Sequence, residues 1–552
     1  MTTRAMKAST IAEVFLDETR LRAEVEVAFA DVARLVADAR GPRPDAETKP
    51  KEVSKAEIDA ALATILRFET EAGPLATSLQ RVRPGRRVPR DEVTGMPLPQ
   101  LGEGDGEGEP VLFVELDAKL DARPASLTLL PPQDPKSGAT ALEIGFVLYH
   151  RDVAVNDFRD LSRAETARLD WDDPWFSRFD NRNLWRQFIA PLSVFVYVDA
   201  FEVRWEMVLR PKDLQQWVDL GLEGKQTLAV ADQPAVKEKV AAFLLERNPM
   251  AIDGQRATPK LDRIEFIRRS LRQTGVIDPP EDLSLDAATL GVIYVQPIDG
   301  LPQTASIDWQ LFHPKFPEVP AVATDEAGGL PTRLTQDNRE LRWENFLKAP
   351  SQRGLVELPV QEGGRSLPLL SIGLLIVAVL LARRGRSSRG MLITAIVLLL
   401  AAAVSWPIGR VTIGGGSAPD EETLAPVMQT LLANVYHAFD FRDESRIYDT
   451  LAHSADGDVL EDVYLETQRA LALQNQGGAR VKIDEVVVEA ATSEDASGDS
   501  LVCDCTWTAS GSVGHWGHVH RRANRYRARF TLQPMDDTWK VTGLELLNEE
   551  RL

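Results

Sequence analysis

Two long stretches of the chain resemble each other, and this internal similarity constrains the architecture more than any other feature. VFLDETRLRAEVEVAFADVARL from Val14 aligns with VYVDAFEVRWEMVLRPKDLQQW from Val196 at an offset of 182 residues. Later stretches align in the same order at offsets of 182, 181, 180 and 172. A slow drift of this kind is expected when a duplicated domain varies only in its loops. We therefore predict two copies of one unit, residues 1–175 and 176–350.

Each copy is predicted to have an α+β fold. Leu21, Ala23, Val25 and Val27 alternate with polar residues, which predicts a strand near the start of the first copy. Helical patterns follow, and further strands come after them. In the second copy, residues 236–246 and 261–275 are both predicted to be helices. The second of these predictions rests on Leu261, Ile264, Ile267 (or Phe266) and Leu271, which recur at helical spacing.

Two apolar runs flank the basic sequence RRGRSSR at residues 383–389, after a linker at 351–366. Leu367 to Ala382 and Met391 to Ile408 contain no charged residue. At about 1.5 Å per residue they reach roughly 24 and 27 Å, close to a hydrocarbon core of about 30 Å. We predict a transmembrane helical hairpin over residues 367–408, in contact with membrane lipid. Two buried helices of a soluble core are the alternative interpretation.

Four arginines between these runs predict the orientation of the hairpin. Short basic loops stay in the cytoplasm, and the loop contains Arg383, Arg384, Arg386 and Arg389. This places both large parts outside a bacterial cytoplasmic membrane. The first twenty residues, however, contain no apolar segment typical of an export signal. We expect a signal that is missing or cleaved; the alternative is that both large parts are cytoplasmic.

A further α+β domain is predicted for residues 423–552, after a flexible tether at 409–422. Three helical patterns are followed by four strand patterns. This order of elements and the final strand TWKVTGLELL resemble the NTF2-like (cystatin-type cone) superfamily. The resemblance implies a sheet that curls around a helix to form a pocket. Members include enzymes, ligand binders and dimerising modules, so it assigns no chemistry. The predicted fold class for the whole chain is multidomain α+β.

Candidate binding residues occur in this last domain. His518 and His520 would lie on one face of a strand, about 7 Å apart. Arg525, Arg527 and Arg529 alternate with less polar residues and would share a solvent-exposed face. That row of guanidinium groups suits an acidic partner, or it pairs with carboxylates of neighbouring strands. Cys503 and Cys505 are predicted to be small core residues, with a metal-binding or redox pair as the alternative.

Aromatic and acidic residues are concentrated near the boundary of the two copies, in LDWDDPWFSRFDNRNLW. Trp171 and Trp175 lie among Asp170, Asp172 and Asp173. Exposed aromatic rings beside carboxylates are typical of a binding groove. The alternative is that the tryptophans pack at the junction of the two copies.

Composition and missing motifs narrow the function. A formal net charge of −20 argues against a nucleic-acid partner, and two cysteines exclude a disulfide framework. Gly-rich phosphate loops and the HExxH and GxSxG motifs are absent from the sequence. We expect no cofactor and no metal, and predict a membrane-anchored, extracytoplasmic binding or scaffolding protein with protein partners or self-association. The alternatives are an enzyme with its site in the C-terminal cone pocket and an accessory subunit of a transport or secretion system.

Overall fold

A computed structural model describes most of the chain. The described residues are 5, 8–40, 54–87, 108–134, 140–186, 190–269, 274–348, 354–359, 365–384, 389–406, 411–413, 419–477, 480–497, 500–515 and 518–552. The chain divides into two compact units. The first is Met1–Pro350 with Gln476–Gly478, and the second is Ser351–Asn475 with Ala479–Leu552.

The first half of the first unit consists mainly of strands. Its elements are β1 (Thr10–Leu16), β2 (Arg20–Ala28), α1 (Phe29–Arg40), α2 (Lys55–Leu62), β3 (Arg67–Thr70), β4 (Gly73–Pro74), β5 (Thr77–Arg86), β6 (Pro110–Lys119), β7 (Ser126–Leu130), β8 (Ile144–His150), β9 (Val153–Ala154), β10 (Arg159–Asp160), β11 (Glu165–Arg168) and β12 (Arg178–Phe179). They form one sheet in the order β10-β8-β1-β2-β6-β5, with β9 on β8, and a second in the order β12-β11-β7-β3-β4. A hydrophobic core of residues between Ala12 and Leu184 includes side chains from both sheets and both helices.

The second half has its own elements and its own core, drawn from residues between Ala190 and Trp343. The elements are β13 (Ser193–Val198), β14 (Glu202–Leu209), α3 (Pro211–Leu214), β15 (Thr227–Leu228), α4 (Gln233–Arg247), β16 (Met250–Ile252), β17 (Gln255–Arg256), β18 (Lys260–Arg269), β19 (Thr274–Val276), β20 (Leu283–Ser284), β21 (Thr289–Pro297), β22 (Thr304–Asp308), β23 (Val319–Asp325), β24 (Gly328–Leu334) and β25 (Glu340–Glu344).

The two halves share one strand order. The segment β8-β1-β2-β6-β5 of the first half corresponds to β23-β13-β14-β21-β18 of the second. In each of these sheets the first two strands pair in parallel (β8 with β1, β23 with β13). The second and third strands form an antiparallel hairpin (β1 with β2, β13 with β14). The smaller sheets correspond as well, because β11-β7-β3-β4 matches β25-β22-β16-β17. The strand order therefore recurs between the two halves, and the duplication itself stays a prediction.

Equivalent side chains also make equivalent contacts at the offset of 182 residues. Arg22 pairs with Glu24 at 2.6 Å and lies 4.6 Å from the ring of Phe15. Arg204 pairs with Glu206 at 2.9 Å and lies 4.5 Å from the ring of Tyr197. The first Arg–Glu pair is partly exposed, whereas the second is buried. The second half therefore holds an ion pair in its interior where the first half holds one at its surface.

The helix predicted at residues 261–275 is wrong. Residues Lys260–Arg269 form β18, which pairs with β21. A bulge between Leu261 and Arg263 shifts the register. Because a bulge moves the alternation of faces by one residue, the apolar residues acquire a three-residue spacing that resembles a helical pattern. The helix predicted at 236–246 is confirmed as part of α4.

The second unit places helices before a long-stranded sheet. Its elements are β26 (Arg365–Leu367), α5 (Leu369–Arg384), α6 (Arg389–Ser405), β27 (Val411–Ile413), α7 (Glu421–His437), α8 (Glu444–Ala452), α9 (Gly457–Gly477), β28 (Arg480–Ser497), β29 (Ser500–His515), β30 (His518–Met535) and β31 (Thr538–Arg551). Strands β28 to β31 form an antiparallel sheet in chain order. The three helices and four strands expected after the tether are therefore present.

The predicted transmembrane hairpin is wrong. No helix in the described part of the chain combines the length and the apolar character needed to cross a membrane. Helices α5 and α6 contain 16 and 17 residues, whereas a span needs about 20. The prediction of a two-span protein in a bacterial cytoplasmic membrane, with both large parts extracytoplasmic, is corrected with it. The lipid contact expected at residues 367–408 and the orientation inferred from the four arginines rested on those spans.

The predicted fold class, multidomain α+β, is also corrected. Strands account for 44% of the structure and helices for 27%, so the protein is mostly β. The difference arises mainly in the first unit, where many strands are only two to five residues long. Strands this short show too few alternations to be recognised as strands in the sequence.

Candidate functional site

The tryptophan-rich segment follows β11 in the first unit. Trp171 donates a hydrogen bond from its indole Nε1 to the carbonyl oxygen of Pro124 at 2.6 Å. Its ring meets the imidazole of His150 edge-on, with centroids 4.3 Å apart. The His150 Nδ1 atom is 2.8 Å from the Ser177 hydroxyl, which accepts a hydrogen bond from the main-chain N–H of Asp170. Trp171 therefore helps to fix the segment in place.

Trp175 and Asp173 join this segment to the second half of the same unit. The guanidinium group of Arg210, which is 0% exposed, lies 4.8 Å from the Trp175 ring. It donates two hydrogen bonds to Asp173, at 2.9 and 3.0 Å, and two to Asp213, at 2.7 and 2.8 Å. A fifth contact reaches the carbonyl oxygen of Asp286 at 3.4 Å. Every N–H of this buried arginine therefore has an acceptor.

Electrostatics favour the charged forms of Asp173 and Arg210. Burial alone would raise the pKa of Asp173, but the hydrogen bonds and the charge of Arg210 outweigh burial and hold that pKa below its usual range. Burial would likewise lower the pKa of Arg210, yet Asp173 and Asp213 raise it above the ordinary arginine value. Lys212 adds a 2.6 Å ion pair to Asp286, and Arg151 binds the same carboxylate at 3.0 Å.

These contacts agree with the second interpretation of the segment, packing at a junction between the predicted copies. Residues 151–176 meet residues 210–213, 286 and 315–316 of the second half. The acidic side chain of Asp173 is committed to Arg210, and Asp170 accepts from the main-chain N–H groups of Asp172 and Asp173. These contacts occupy Asp170 and Asp173, and ligand binding by Trp171 and Trp175 stays a prediction.

The arginine row of the second unit lies on β30 and pairs across strands. Arg527 and Arg529 each bind Asp504 of β29 at 3.0 Å. Arg529 also pairs with Glu494 at 2.7 Å. Arg525 contacts Glu489 at 3.1 Å and Glu550 at 3.8 Å. The row is thus balanced by carboxylates of the same sheet, which is the second of the two interpretations considered above.

The two histidines occupy the start of β30. His518 is paired in register with His515, and His520 with Val513. The side chains of both histidines lie outside the described residues. Within the described residues, no group of three or more His, Cys, Asp or Glu side chains is arranged to hold a metal ion.

The four loop arginines fall at the ends of α5 and α6. Arg383 and Arg384 are exposed in the last turn of α5. Arg386 lies outside the described residues, and Arg389 begins α6 with a side chain that is not described.

The cysteine pair is part of the core of the second unit. Burial raises the pKa of Cys503 and of Cys505 to about 12, so both thiols are protonated at neutral pH. Cys503 Sγ lies 3.8 Å from Met428 Sδ of α7. These thiols pack the sheet against the helix, because a protonated, buried thiol is a poor nucleophile and a poor metal ligand.

Three structural features were not predicted from the sequence. The Arg210 cluster combines residues that are far apart in sequence, so no local motif marks it. Arg178, Arg186 and Trp185 line a cleft in the first unit, and the density of arginines in RFDNRNLWR could have indicated it. The exposed leucines of β31 lie close to acidic residues in the sequence, but only the strand order places them at an edge.

Comparisons with known proteins add little. No protein-family model matches the chain, and no curated protein matches it. Among solved structures, the chain is similar to the crystal structure of the intermembrane space region of chloroplast protein ARC6, at 17% sequence identity and a TM-score of 0.19. The match covers 24% of this chain and 98% of that one.

Proposed function

We propose that the protein is a binding and scaffolding protein whose second unit captures an extended, basic segment of a partner protein along the free edge of β31. We also propose that this unit is NTF2-like, because α7 to α9 precede a four-stranded antiparallel sheet. The observation that carries the functional proposal is a row of exposed leucines on the part of the sheet edge that the described chain leaves uncovered.

The opposite edge of the sheet is covered by a helix. Gln429 of α7 donates to the carbonyl oxygen of Val486 at 2.5 Å and accepts from the N–H of Val488 at 2.8 Å. Its side-chain amide thus occupies main-chain groups of β28, the terminal strand. Three bulges also interrupt β28. Covered and bulged edges resist pairing with another chain.

The first part of β31 is covered as well. Trp539 donates its main-chain N–H to the carbonyl oxygen of Leu358 at 3.0 Å, and Val541 donates to Ser454 at 2.8 Å. Asn434 of α7 fixes the segment that contains Leu358, because its side chain accepts from the N–H of Val356 and donates to the carbonyl oxygen of the same residue. From residue 542 onward, the described chain pairs no further strand with the outer edge of β31.

Apolar side chains are exposed along this open part. Leu544 and Leu546 are 45% and 56% exposed. They are paired in register with Phe530 and Ala528, whose buried side chains face the helices. Leu547 and Leu552 are also exposed. An unpaired edge that carries several exposed leucines is a template for strand addition, in which main-chain hydrogen bonds supply affinity and alternate side chains supply specificity.

Charge favours a basic partner over a second copy. Glu545, Glu549 and Glu550 lie on the same ten residues of β31. Antiparallel pairing of β31 with β31 of another copy would bring these carboxylates together across one interface, and like charges opposite each other destabilise a sheet. A strand that alternates apolar and basic residues would instead match the leucines and the negative charge of this edge, where Glu550 contacts Arg525 only at 3.8 Å and Glu549 accepts from the neutral Asn524.

A labelled peptide tests the proposal on the full chain. The probe is a ten-residue peptide of alternating lysine and valine, and its binding is followed by fluorescence anisotropy. We expect Leu546→Asp to weaken binding by about tenfold, which corresponds to about 1.4 kcal/mol, because an apolar contact is lost and a like charge to the neighbouring acids is added. Leu465→Asp is the matched control, since Leu465 is 43% exposed but lies on α9.

Two further peptides distinguish strand addition from nonspecific electrostatic attraction. A peptide with glutamate in place of lysine is expected not to bind, and a peptide with its lysines and valines in two separate blocks is expected to bind more weakly than the alternating one. Equal binding of the block and alternating peptides, or equal weakening by the control substitution, would contradict the proposal. A dimer in light scattering that Leu546→Asp dissociates would assign this edge to self-association instead.

A further inference from the structure

A cleft of about 360 Å³ opens beside β11 and β12 in the first unit. Three arginines and two tryptophans dominate its lining: Arg168, Arg178, Arg186, Trp175 and Trp185. Its volume is in the range of small-molecule sites, which combine apolar walls with a few convergent polar groups. The cleft is therefore large enough for a small ligand.

The indole rings hold the guanidinium groups in place. The Arg186 guanidinium lies 4.2 Å from the centre of the Trp175 ring, and the Arg178 guanidinium lies 5.3 Å from that of Trp185. Stacking of this kind orients a guanidinium group without using its N–H donors, and Arg186 in addition donates from Nη2 to the carbonyl oxygen of Trp175 at 2.5 Å. Trp185 is itself anchored by a 2.7 Å hydrogen bond from Nε1 to the carbonyl oxygen of Phe179. The donors at the cleft are thus presented on a rigid support.

Positive charge in the cleft is only partly balanced. Arg168 and Arg178 are directly opposite each other in the pairing of β11 with β12, an arrangement that costs energy between like charges. Arg168 pairs with Asp180 at 3.0 Å. Within the described part of the chain, the Arg178 guanidinium has no carboxylate partner. Asp170 also lines the cleft, but its carboxylate already accepts two main-chain hydrogen bonds.

The geometry points to a binding site for a small organic anion that carries a carboxylate or phosphate group on a flat, unsaturated ring. Arg178 binds the anionic group, assisted by the positive charge of Arg168 and Arg186. The apolar lining residues Val155, Leu169 and Phe176 contact the ring, because guanidinium groups already stack on the indoles of Trp175 and Trp185. Guanidinium groups recognise carboxylate and phosphate oxygens through paired N–H donors, and apolar walls favour an anion with a ring over a bare inorganic anion. This site lies in the first unit and is independent of the strand-addition surface of β31.

Ligand-observed NMR titrations of the full chain test the site with four probes. Benzoate and phenyl phosphate carry the two anionic groups on the same ring, benzyl alcohol is the neutral analogue, and inorganic phosphate lacks the ring. We expect at least one of the two ring anions to bind, and the tighter of them identifies the anionic group. Benzyl alcohol and inorganic phosphate are expected to bind at least about tenfold more weakly than that probe.

Two substitutions locate the binding. Arg178→Gln is expected to weaken the better ring anion by about tenfold or more. Arg83→Gln is the matched control, because Arg83 is also an exposed arginine of the first unit stacked on an aromatic ring, 4.3 Å from that of Phe113, but lies outside the cleft. The proposal is overturned if neither ring anion binds, if benzyl alcohol or inorganic phosphate binds equally well, or if the control weakens binding as much as Arg178→Gln.

Discussion

Replacing Arg210 with alanine is expected to lower the free energy of unfolding of the first unit by about 3–5 kcal/mol, the usual cost of removing one partner from a buried ion pair. The guanidinium group is completely buried and makes paired hydrogen bonds to both Asp173 and Asp213. Its loss leaves two buried carboxylates without their positive partner, in a place where water solvates them poorly. Urea unfolding followed by tryptophan fluorescence measures the change.

Two comparison variants give this prediction its specificity. Arg210→Lys keeps the charge, but an ammonium group cannot donate two hydrogen bonds to each of two carboxylates. The stability of this variant should therefore lie between that of the parent and that of Arg210→Ala. Lys225→Ala removes the ion pair between Lys225 and Asp232, whose side chains are 43% and 46% exposed. This substitution should lower the free energy of unfolding by no more than about 1 kcal/mol. Similar losses for Arg210→Ala and Lys225→Ala would mean that the junction does not depend on the buried cluster.

Acidification from pH 7 to pH 5 is expected to destabilise the first unit by about 2 kcal/mol through His150 alone. Burial, and then the nearby positive charge of Arg151, lower the pKa of His150 from 6.5 to about 4, although Asp286 and Asp170 favour the protonated form. The folded state therefore binds a proton less readily than the unfolded state. Stability from this residue is complete above the unfolded pKa and is lost as the pH falls from about 6.5 towards 4.

The His150→Gln variant isolates this contribution, because glutamine does not titrate and its side chain is still able to bond to the Ser177 hydroxyl. Carboxylates also respond to acid, so the informative quantity is the difference between the parent and the variant at each pH. That difference should shrink by about 2 kcal/mol between pH 7 and pH 5. A difference that stays constant over this range would show that His150 is protonated as easily in the folded chain as in the unfolded one.

The sequence predicted local elements better than it predicted their assembly. Helix α4 and the order of three helices and four strands in the second unit follow from periodic apolar residues within single segments. The helix predicted at 261–275 failed because a bulge at Leu261 and Arg263 imitates helical spacing. The apolar runs at 367–408 are strongly hydrophobic, but the helices they form contain only 16 and 17 residues. The predicted membrane spans failed for this reason.

Site residues were harder to predict because their partners are distant in the sequence. Trp175 and Asp173 were visible as neighbours, yet their role depends on Arg210, which lies 37 residues beyond Asp173. Arg525, Arg527 and Arg529 were correctly placed on one face of a strand by their alternation. Their partners Asp504 and Glu489 lie on two other strands, and only the register of the sheet brings them together.

Hydrogen–deuterium exchange of the full chain, with and without the alternating lysine–valine peptide, tests the central claim most directly. Strand addition at the open edge predicts new amide protection confined to the end of β31, residues 542–552, because only there would main-chain N–H groups gain acceptors. The arginine-lined cleft and β28 should exchange at unchanged rates. Protection in β28 or in the first unit, or none at a peptide concentration that saturates binding, would contradict a docking role for β31.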